Sequence, residues 1–195
     1  SVDSFTARAV LLAAGGQSTP QLGSDGSGFA LARSLGYKLT PPVPGLTGLH
    51  IEESWVAAHS GLSLPSVHIT LLGGRGKRPS SQGQLLFTHR GISGPAVLNL
   101  SSEIARRRAD GSPFELQLRL CREKPDWNRL RKTEGSRPLH TWLSEQLPRA
   151  LATTLLNLAT IPPGQTFSRL NASQGEQLTR LLTALPLTVR RTGGF

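Results

Sequence analysis

The chain has 195 residues, with 22 Lys and Arg against 12 Asp and Glu, which gives a net charge of +10. This length is sufficient for one large domain or two small ones with a hydrophobic core. The single Cys excludes an internal disulfide framework, and every apolar run falls far short of the roughly 18 residues of a membrane span. We therefore expect a cytoplasmic protein without a membrane partner.

The chain begins with a unit that predicts a cofactor site. Residues 7–14, ARAVLLAA, form an apolar run typical of a strand buried on both faces of a parallel sheet. A loop rich in Gly and Ser follows, and Ser24 or Asp25 is positioned to cap a helix that ends near Gly36. A strand, a Gly-rich loop and a helix N-terminus together can receive a phosphate or the edge of a cofactor.

A Pro-rich linker, residues 39–46, leads from this unit into a series of short strands. The predicted strands are residues 49–51, 54–57, 67–72 and 84–88. Residues 95–107 predict a helix with Ser93 as its N-cap, and residues 114–120 alternate strictly between apolar and polar side chains. Spacing of this kind predicts an antiparallel sheet or a small barrel.

The last third of the chain is predicted to be helical. Apolar stripes at helical spacing predict three helices between residues 125 and 185, and residues 187–190 return to a strand. The fold class is therefore α+β, a small antiparallel barrel or sheet with an inserted helical bundle. We divide the chain into residues 1–45, then 46–123 together with 186–195, and the bundle at 124–185.

Residues 86–95, LFTHRGISGP, contain His89 and Ser93 as candidates for chemistry. They do not form a serine-hydrolase elbow, because Pro95 stands where that motif requires Gly. The pair Gly76 and Lys77 does not complete a phosphate-binding loop, since the Gly required before it is missing. The five His show no ligand spacing, so we expect no metal site, and the lone Cys121 is predicted to be a core residue.

Three basic clusters stand out, at residues 75–78, 106–108 and 129–132. The second and third fit helix ends, where cations complement the helix dipole. Because the positive charge is otherwise spread over the whole chain, it argues against nucleic acid as the main partner.

Residues 11–20, LLAAGGQSTP, and residues 23–29, GSDGSGF, form one block of a longer signature, and residues 83–98, GQLLFTHRGISGPAVL, form another. In this order, and joined by the Pro-rich linker, the blocks resemble the HI0933-like (BaiN-type) flavoprotein family. The resemblance implies an FAD-binding Rossmann-like domain interrupted by a β-barrel insert that carries the helical bundle. Residues 1–45 would then be a strand, loop and helix remnant of the FAD domain.

The resemblance also implies an NAD(P)H-linked oxidoreductase that acts on a small-molecule substrate. It places His89 and Ser93 on the substrate side as candidate catalytic residues. The residues that it places against FAD are Gly15, Gly16, Ser18, Gly23, Asp25 and Gly26. Asp25 departs from the family pattern, and a carboxylate near the flavin disfavours the anionic reduced ring.

The chain contains no Met and lacks the dinucleotide fingerprint that opens the family's sequences, so we expect a central fragment that binds no FAD and is inactive alone. An alternative is a self-contained basic module that binds RNA or an acidic protein through residues 75–78 and the Arg-rich helix ends. In a third interpretation, the predicted helices form the surface of a dimer interface or of a lid over the substrate. The oligomeric state is left open by the sequence.

Overall fold

The computed structural model describes residues 4–73 and 78–194. The described chain forms two compact units, the first extending to Pro44 and the second running from Gly45 to Gly194. The first unit contains a single α-helix, α1 (Ser27–Ser34), preceded by a short 3-10 turn at Pro20–Leu22. Of its described residues only Gly28 is buried.

The strand predicted at residues 7–14 is wrong for this structure: the segment has no regular structure and its side chains are exposed. A strand forms only when a neighbouring strand accepts and donates its backbone hydrogen bonds, and within residues 4–73 and 78–194 no strand pairs with this segment. The helix cap also differs, since α1 has Gly26 at its N-cap. The side chain of Asp25 bonds the Ser27 N–H instead.

The second unit is built on a seven-stranded antiparallel sheet. The strands are β1 (Leu49–Ile51), β2 (Ser63–Leu72), β3 (Ser80–Thr88), β4 (Gly91–Ser93), β5 (Glu115–Arg119), β6 (Leu185–Leu187) and β7 (Val189–Thr192). Their order is β6-β5-β2-β3-β4-β1-β7. The two edge strands are joined by the single residue Thr188, so the first and last strands of the sheet are neighbours in sequence.

The helices of this unit are α2 (Ser54–Ala58), α3 (Pro95–Ala109), α4 (Trp127–Glu134), α5 (Leu139–Ser144), α6 (Arg149–Leu158) and α7 (Ala172–Thr183). The prediction of α3 is confirmed, and its apolar face packs on β2 and β3. The last third has four α-helices where three were predicted. None of the described helices has the length and apolarity needed to cross a membrane.

Two local predictions in the second unit are wrong. Residues 54–57 lie in helix α2 and not in a strand, because four residues are too few for the apolar period to distinguish the two. Ser93 lies in β4, and the N-cap of α3 is Gly94, whose carbonyl accepts from the N–H groups of Val97 and Leu98 at 2.9 Å each.

The sheet and the helices share one hydrophobic core. Alternate residues of β2, Val67, Ile69 and Leu71, are buried, which leaves the other face of that strand polar. In the helical part Trp142 packs edge to face on Trp127 and on Phe167, with ring centroids 5.8 and 5.7 Å apart, while Trp127 and Phe167 are tilted to each other at 6.4 Å. The buried His59 joins the two parts, since its ring lies against Phe87 and its Nε2 is 3.3 Å from Thr154 Oγ1.

Candidate functional site

The second motif block folds into the hairpin of β3 and β4. Thr88 pairs with Gly91, which leaves His89 and Arg90 as the two residues of the turn. The Arg90 N–H is 3.4 Å from Thr88 Oγ1, and both turn side chains are exposed. The hairpin therefore presents an imidazole and a guanidinium side by side at the end of the sheet.

The glycines of this block are required by strand packing. A Cβ on Gly91 would lie 2.0 Å from the carbonyl oxygen of Leu49 on the neighbouring strand. A Cβ on Gly94, where φ is +96°, would lie 2.7 Å from the carbonyl oxygen of Gln84. These contacts exclude any side chain, so the spacing of the motif keeps β1, β3 and β4 close together.

The turn lies beside two residues of β1 and β7 that are distant in sequence. His50 on β1 pairs with Gly91 on one side and with Arg191 on the other. A register shift after His50 brings Arg190 beside it as an extra residue of β7. The strands and the turn border two adjoining hollows of about 240 and 250 Å³. We call the two together the His89 hollow. Its lining includes His50, His89, Arg90, Ser93 and Arg190.

Positive charge dominates the His89 hollow. Burial, followed by the charges of Arg191, Arg90, His89 and Arg190, lowers the pKa of His50. The neutral ring accepts a hydrogen bond at Nδ1 from Arg191 Nε at 3.3 Å.

A carboxylate also borders the hollow, that of Glu53. Its two oxygens accept from the Thr188 N–H at 3.0 and 3.1 Å and so are engaged by the backbone. Because Arg90 and Arg190 outnumber this carboxylate in the lining, the hollow can attract the anionic part of a ligand.

The two candidate catalytic residues of this block, His89 and Ser93, border the same hollow. Among the described residues, no hydrogen bond links their side chains. Ser93 is half buried and pairs with Leu86 across the hairpin. The arrangement therefore does not form the nucleophile and base of a hydrolase.

The first motif block lies in the first unit, where its loop closes on itself. The Gly26 N–H donates to the Gly16 carbonyl at 2.9 Å, and Thr19 bridges to Ser24. Around Gly16 and Gly23 a Cβ would meet nothing within 4 Å. Such open backbone positions allow a planar group to approach closely. The remaining predicted cofactor residues of the loop are Gly15, which has φ +75°, the exposed Ser18, and Asp25.

Asp25 decides which part of a cofactor this loop suits. Its Oδ1 accepts from the Ser27 N–H at 2.9 Å, and this hydrogen bond lowers the pKa of the carboxyl group. The N-terminus of α1 thus already carries the chain's own negative charge. The loop fits an uncharged cofactor edge better than a phosphate.

Other predicted features have plain structural roles. Burial raises the pKa of the Cys121 thiol, which keeps it protonated. Over residues 4–73 and 78–194 no cluster of three metal-binding side chains occurs. Of the basic cluster at residues 75–78, only Arg78 lies within the described residues. In α3, Glu103 pairs with Arg106 and Arg107.

Sequence reasoning missed His50, Arg190 and Arg191 as site residues. His50 is far from the two arginines along the chain, with 141 positions between it and Arg191. Only the antiparallel pairing of β1 with β7 brings them together, and no local motif predicts that pairing.

Comparison with known proteins identifies relatives over nearly the whole chain. The chain is 33% identical over 198 residues to a 3-dehydro-bile acid delta(4,6)-reductase of Clostridium scindens, a match that covers 98% of this chain and 48% of the relative. It is 33% identical to a ribosomal RNA dihydrouridine synthase of Escherichia coli, covering 95% of this chain and 45% of that protein. A protein of the same name from Haemophilus influenzae is 44% identical over 95 residues, which are 48% of this chain and 22% of that protein.

The chain thus spans about half the length of the two relatives whose matches cover nearly all of it. The family model described as "HI0933-like protein barrel and H2TH domain" matches residues 43–195. This range contains the whole seven-stranded sheet and the helices α2 to α7. The chain belongs to the HI0933-like family.

Proposed function

We propose that the chain is part of a flavin-dependent oxidoreductase that adds two hydrogen atoms to a carbon–carbon double bond. The names of its relatives support this reaction, since one is a reductase and the other two make dihydrouridine, which is uridine with its ring double bond reduced. The observation that carries the proposal is the His89 hollow, where the family motif presents an exposed imidazole beside an excess of cations.

In this proposal the loop of the first unit holds the flavin edge. Gly15, Gly16 and Gly23 let the backbone approach the ring, while Ser18, Asp25 and Gly26 border it. FAD, when bound and reduced, supplies a hydride to one carbon of the double bond. NAD(P)H is the proposed source of the electrons.

His89 has the complementary role at the second carbon. A double bond that accepts a hydride also needs a proton, and an imidazole is the side chain best matched to proton transfer near neutral pH. Arg90 and Arg190 bind the anionic part of the substrate and thereby orient it. Ser93 lies at the edge of the same hollow and contacts the substrate there.

The test uses the full-length protein with its bound flavin. NADPH and NADH are each added without oxygen, and bleaching of the flavin absorbance is followed. An α,β-unsaturated ketone and a uridine-containing RNA are then compared as oxidants. We expect NAD(P)H to bleach the flavin and one of the two oxidants to restore it.

The variant His89→Asn separates the role of this residue from flavin binding. We expect unchanged flavin content with reoxidation slowed by roughly 100-fold, the usual contribution of a general acid. His140→Asn, in the helical part, is the matched control and should reoxidise normally. A full-length protein without flavin, or normal reoxidation of His89→Asn, would contradict the proposal.

RNA binding is a second candidate function, and the names of two relatives favour it. A net charge of +10 suits a polyanionic partner, and two relatives are named for ribosomal RNA. A filter-binding titration against mixed RNA tests it. Micromolar affinity that falls steeply with salt is expected, and no binding at low salt would exclude this function.

A further inference from the structure

A second cationic hollow lies on the outer face of the sheet, away from the His89 hollow. It has a volume of about 470 Å³ and is lined mainly by Ser66, His68, Gln82, Arg119, Cys121 and Arg122. The strand register explains how it forms. His68 on β2 pairs with Gln82 on β3 and with Arg119 on β5, so three polar residues of adjacent strands lie in one row.

The two arginines give this hollow its charge. Arg119 and Arg122 are both exposed, and within the described residues neither guanidinium has an ionic or hydrogen-bonded partner. The nearby carboxylate of Glu115 accepts from Gln117 at 2.8 Å. The lining also offers amide, imidazole and hydroxyl groups that can donate hydrogen bonds to an oxyanion.

The position of this hollow indicates a long ligand. Gln82 and His89 lie seven residues apart on β3 and its turn, which corresponds to roughly 23 Å at 3.3 Å per residue. A small molecule cannot contact both hollows. A nucleic acid strand, with one phosphate per roughly 3.4 Å of its axis, spans this distance with about seven phosphates.

We propose that Arg119 and Arg122 bind backbone phosphates of an RNA whose reacting part occupies the His89 hollow. This inference rests on the RNA candidate under Proposed function. The outer face of β3 between the hollows is polar as far as Gln84, since Gln82 Nε2 donates to Ser66 Oγ at 3.1 Å and Gln84 Nε2 to Ser63 Oγ at 2.8 Å, and the exposed Leu86 follows. Phosphate contacts here fix the position of the RNA without reading its sequence.

The test measures RNA affinity of the full-length protein over a range of salt concentrations, without turnover. In the double variant Arg119→Gln/Arg122→Gln, two lost phosphate contacts should reduce the slope of log affinity against log salt by about 1.4 for single-stranded RNA. Affinity should fall by a similar factor for different RNA sequences. Arg149→Gln, an exposed arginine of α6, is the matched control and should leave the slope unchanged.

The charge-preserving variant Arg119→Lys/Arg122→Lys keeps the test independent of folding. It should retain the slope, because counterion release depends on charge. A slope unchanged in the glutamine pair overturns the inference. The inference is also overturned if the double variant Arg119→Gln/Arg122→Gln keeps its RNA affinity but loses binding of inorganic phosphate or a mononucleotide. The ligand of this hollow is then a free phosphate compound.

Failure of this inference is distinguishable from failure of the proposed functions. If the parent protein binds no RNA, both the RNA candidate and this inference fall, while flavin reduction by NAD(P)H is measured separately and is unaffected. If RNA binds with the parent slope in every variant, only the assignment to Arg119 and Arg122 is wrong.

Discussion

The glycines of residues 83–94 and those of residues 15–28 differ in what surrounds them. A Cβ on Gly83, Gly91 or Gly94 would lie within 3.3 Å of backbone atoms of a neighbouring strand or helix. In residues 15–28, the only atoms within 3.3 Å of such a Cβ belong to side chains, and at some positions there are none. The two blocks thus contain glycine for different physical reasons: the glycines of one keep strands close together, and Gly16 and Gly23 of the other leave open space beside the backbone.

The largest expected effect tests the packing side of this comparison. In Gly91→Ala the new Cβ would meet the Leu49 carbonyl at 2.0 Å, so β1 must move. We expect the free energy of unfolding to fall by roughly 3 kcal/mol or more. Urea denaturation followed by Trp fluorescence measures it, because Trp55, Trp127 and Trp142 all lie in the second unit.

Gly16→Ala is the matched control within residues 15–28. Its Cβ meets nothing within 4 Å and its φ is not positive, so the unfolding free energy followed by Trp fluorescence should change by less than about 0.5 kcal/mol. Equal losses in the two variants would show that both segments serve packing, and the comparison would fail.

Flavin content tests the proposed ligand-binding role of residues 15–28. Gly16→Val introduces a branched side chain whose Cβ has no neighbour within 4 Å among the described residues. If the loop receives the flavin edge, the branched side chain blocks that approach, and we expect at least a tenfold loss of bound flavin in the full-length protein. Absorbance after gel filtration measures the loss.

Gly36→Asn provides the control for this variant. Gly36 has φ +85° and open space around its Cβ, and Asn tolerates such a conformation. Its flavin content should equal that of the parent. A Gly16→Val protein that retains its flavin would mean that this glycine does not lie against the cofactor.

A smaller effect is expected at the cations of the His89 hollow. Arg190→Gln removes one charge that lines the hollow proposed for an anionic substrate, and a charged hydrogen bond contributes roughly 1.5 kcal/mol or more, so KM should rise about tenfold. The value of kcat should stay the same if the contact is uniform in ground and transition states. Arg180→Gln, in the last turn of α7, is the control with an unchanged KM. A fall in kcat with constant KM would assign Arg190 to the chemical step instead.

The strong local patterns could be predicted from the sequence. The alternation of residues 114–120 and the helical spacing of residues 95–107 correspond to β5 and α3, because each pattern fits one burial geometry only. The short segment 54–57 fits two geometries, and tertiary packing of Val56 selects the helix. The apolar run 7–14 has the composition of a strand, but composition does not supply the strand that must pair with it.

The candidate site was predictable only in part. His89 lies in a motif and could be singled out, whereas His50, Arg190 and Arg191 have no local signature. Their meeting depends on the pairing of β1 with β7, between segments separated by the entire sheet and helical part. Long-range strand register of this kind does not follow from residue spacing.

The smallest expected effect is the pH dependence contributed by His50. Burial first, and then the cations around it, lower its pKa in the folded protein. The unfolded chain has the ordinary value of about 6.5, so between the two values it binds more protons than the folded protein. Stability should therefore be lost as pH falls below about 6.5, until the folded form is also protonated.

His50→Asn removes this titration while its amide oxygen can still accept from Arg191 Nε in place of Nδ1. Its unfolding free energy should change less than that of the parent between about pH 7 and pH 5. In about 1 M salt the contribution of the arginines is screened, but the contribution of burial persists, so part of the difference should survive. Parallel profiles for parent and variant would contradict this account, since the lowered pKa of His50 then adds nothing to stability.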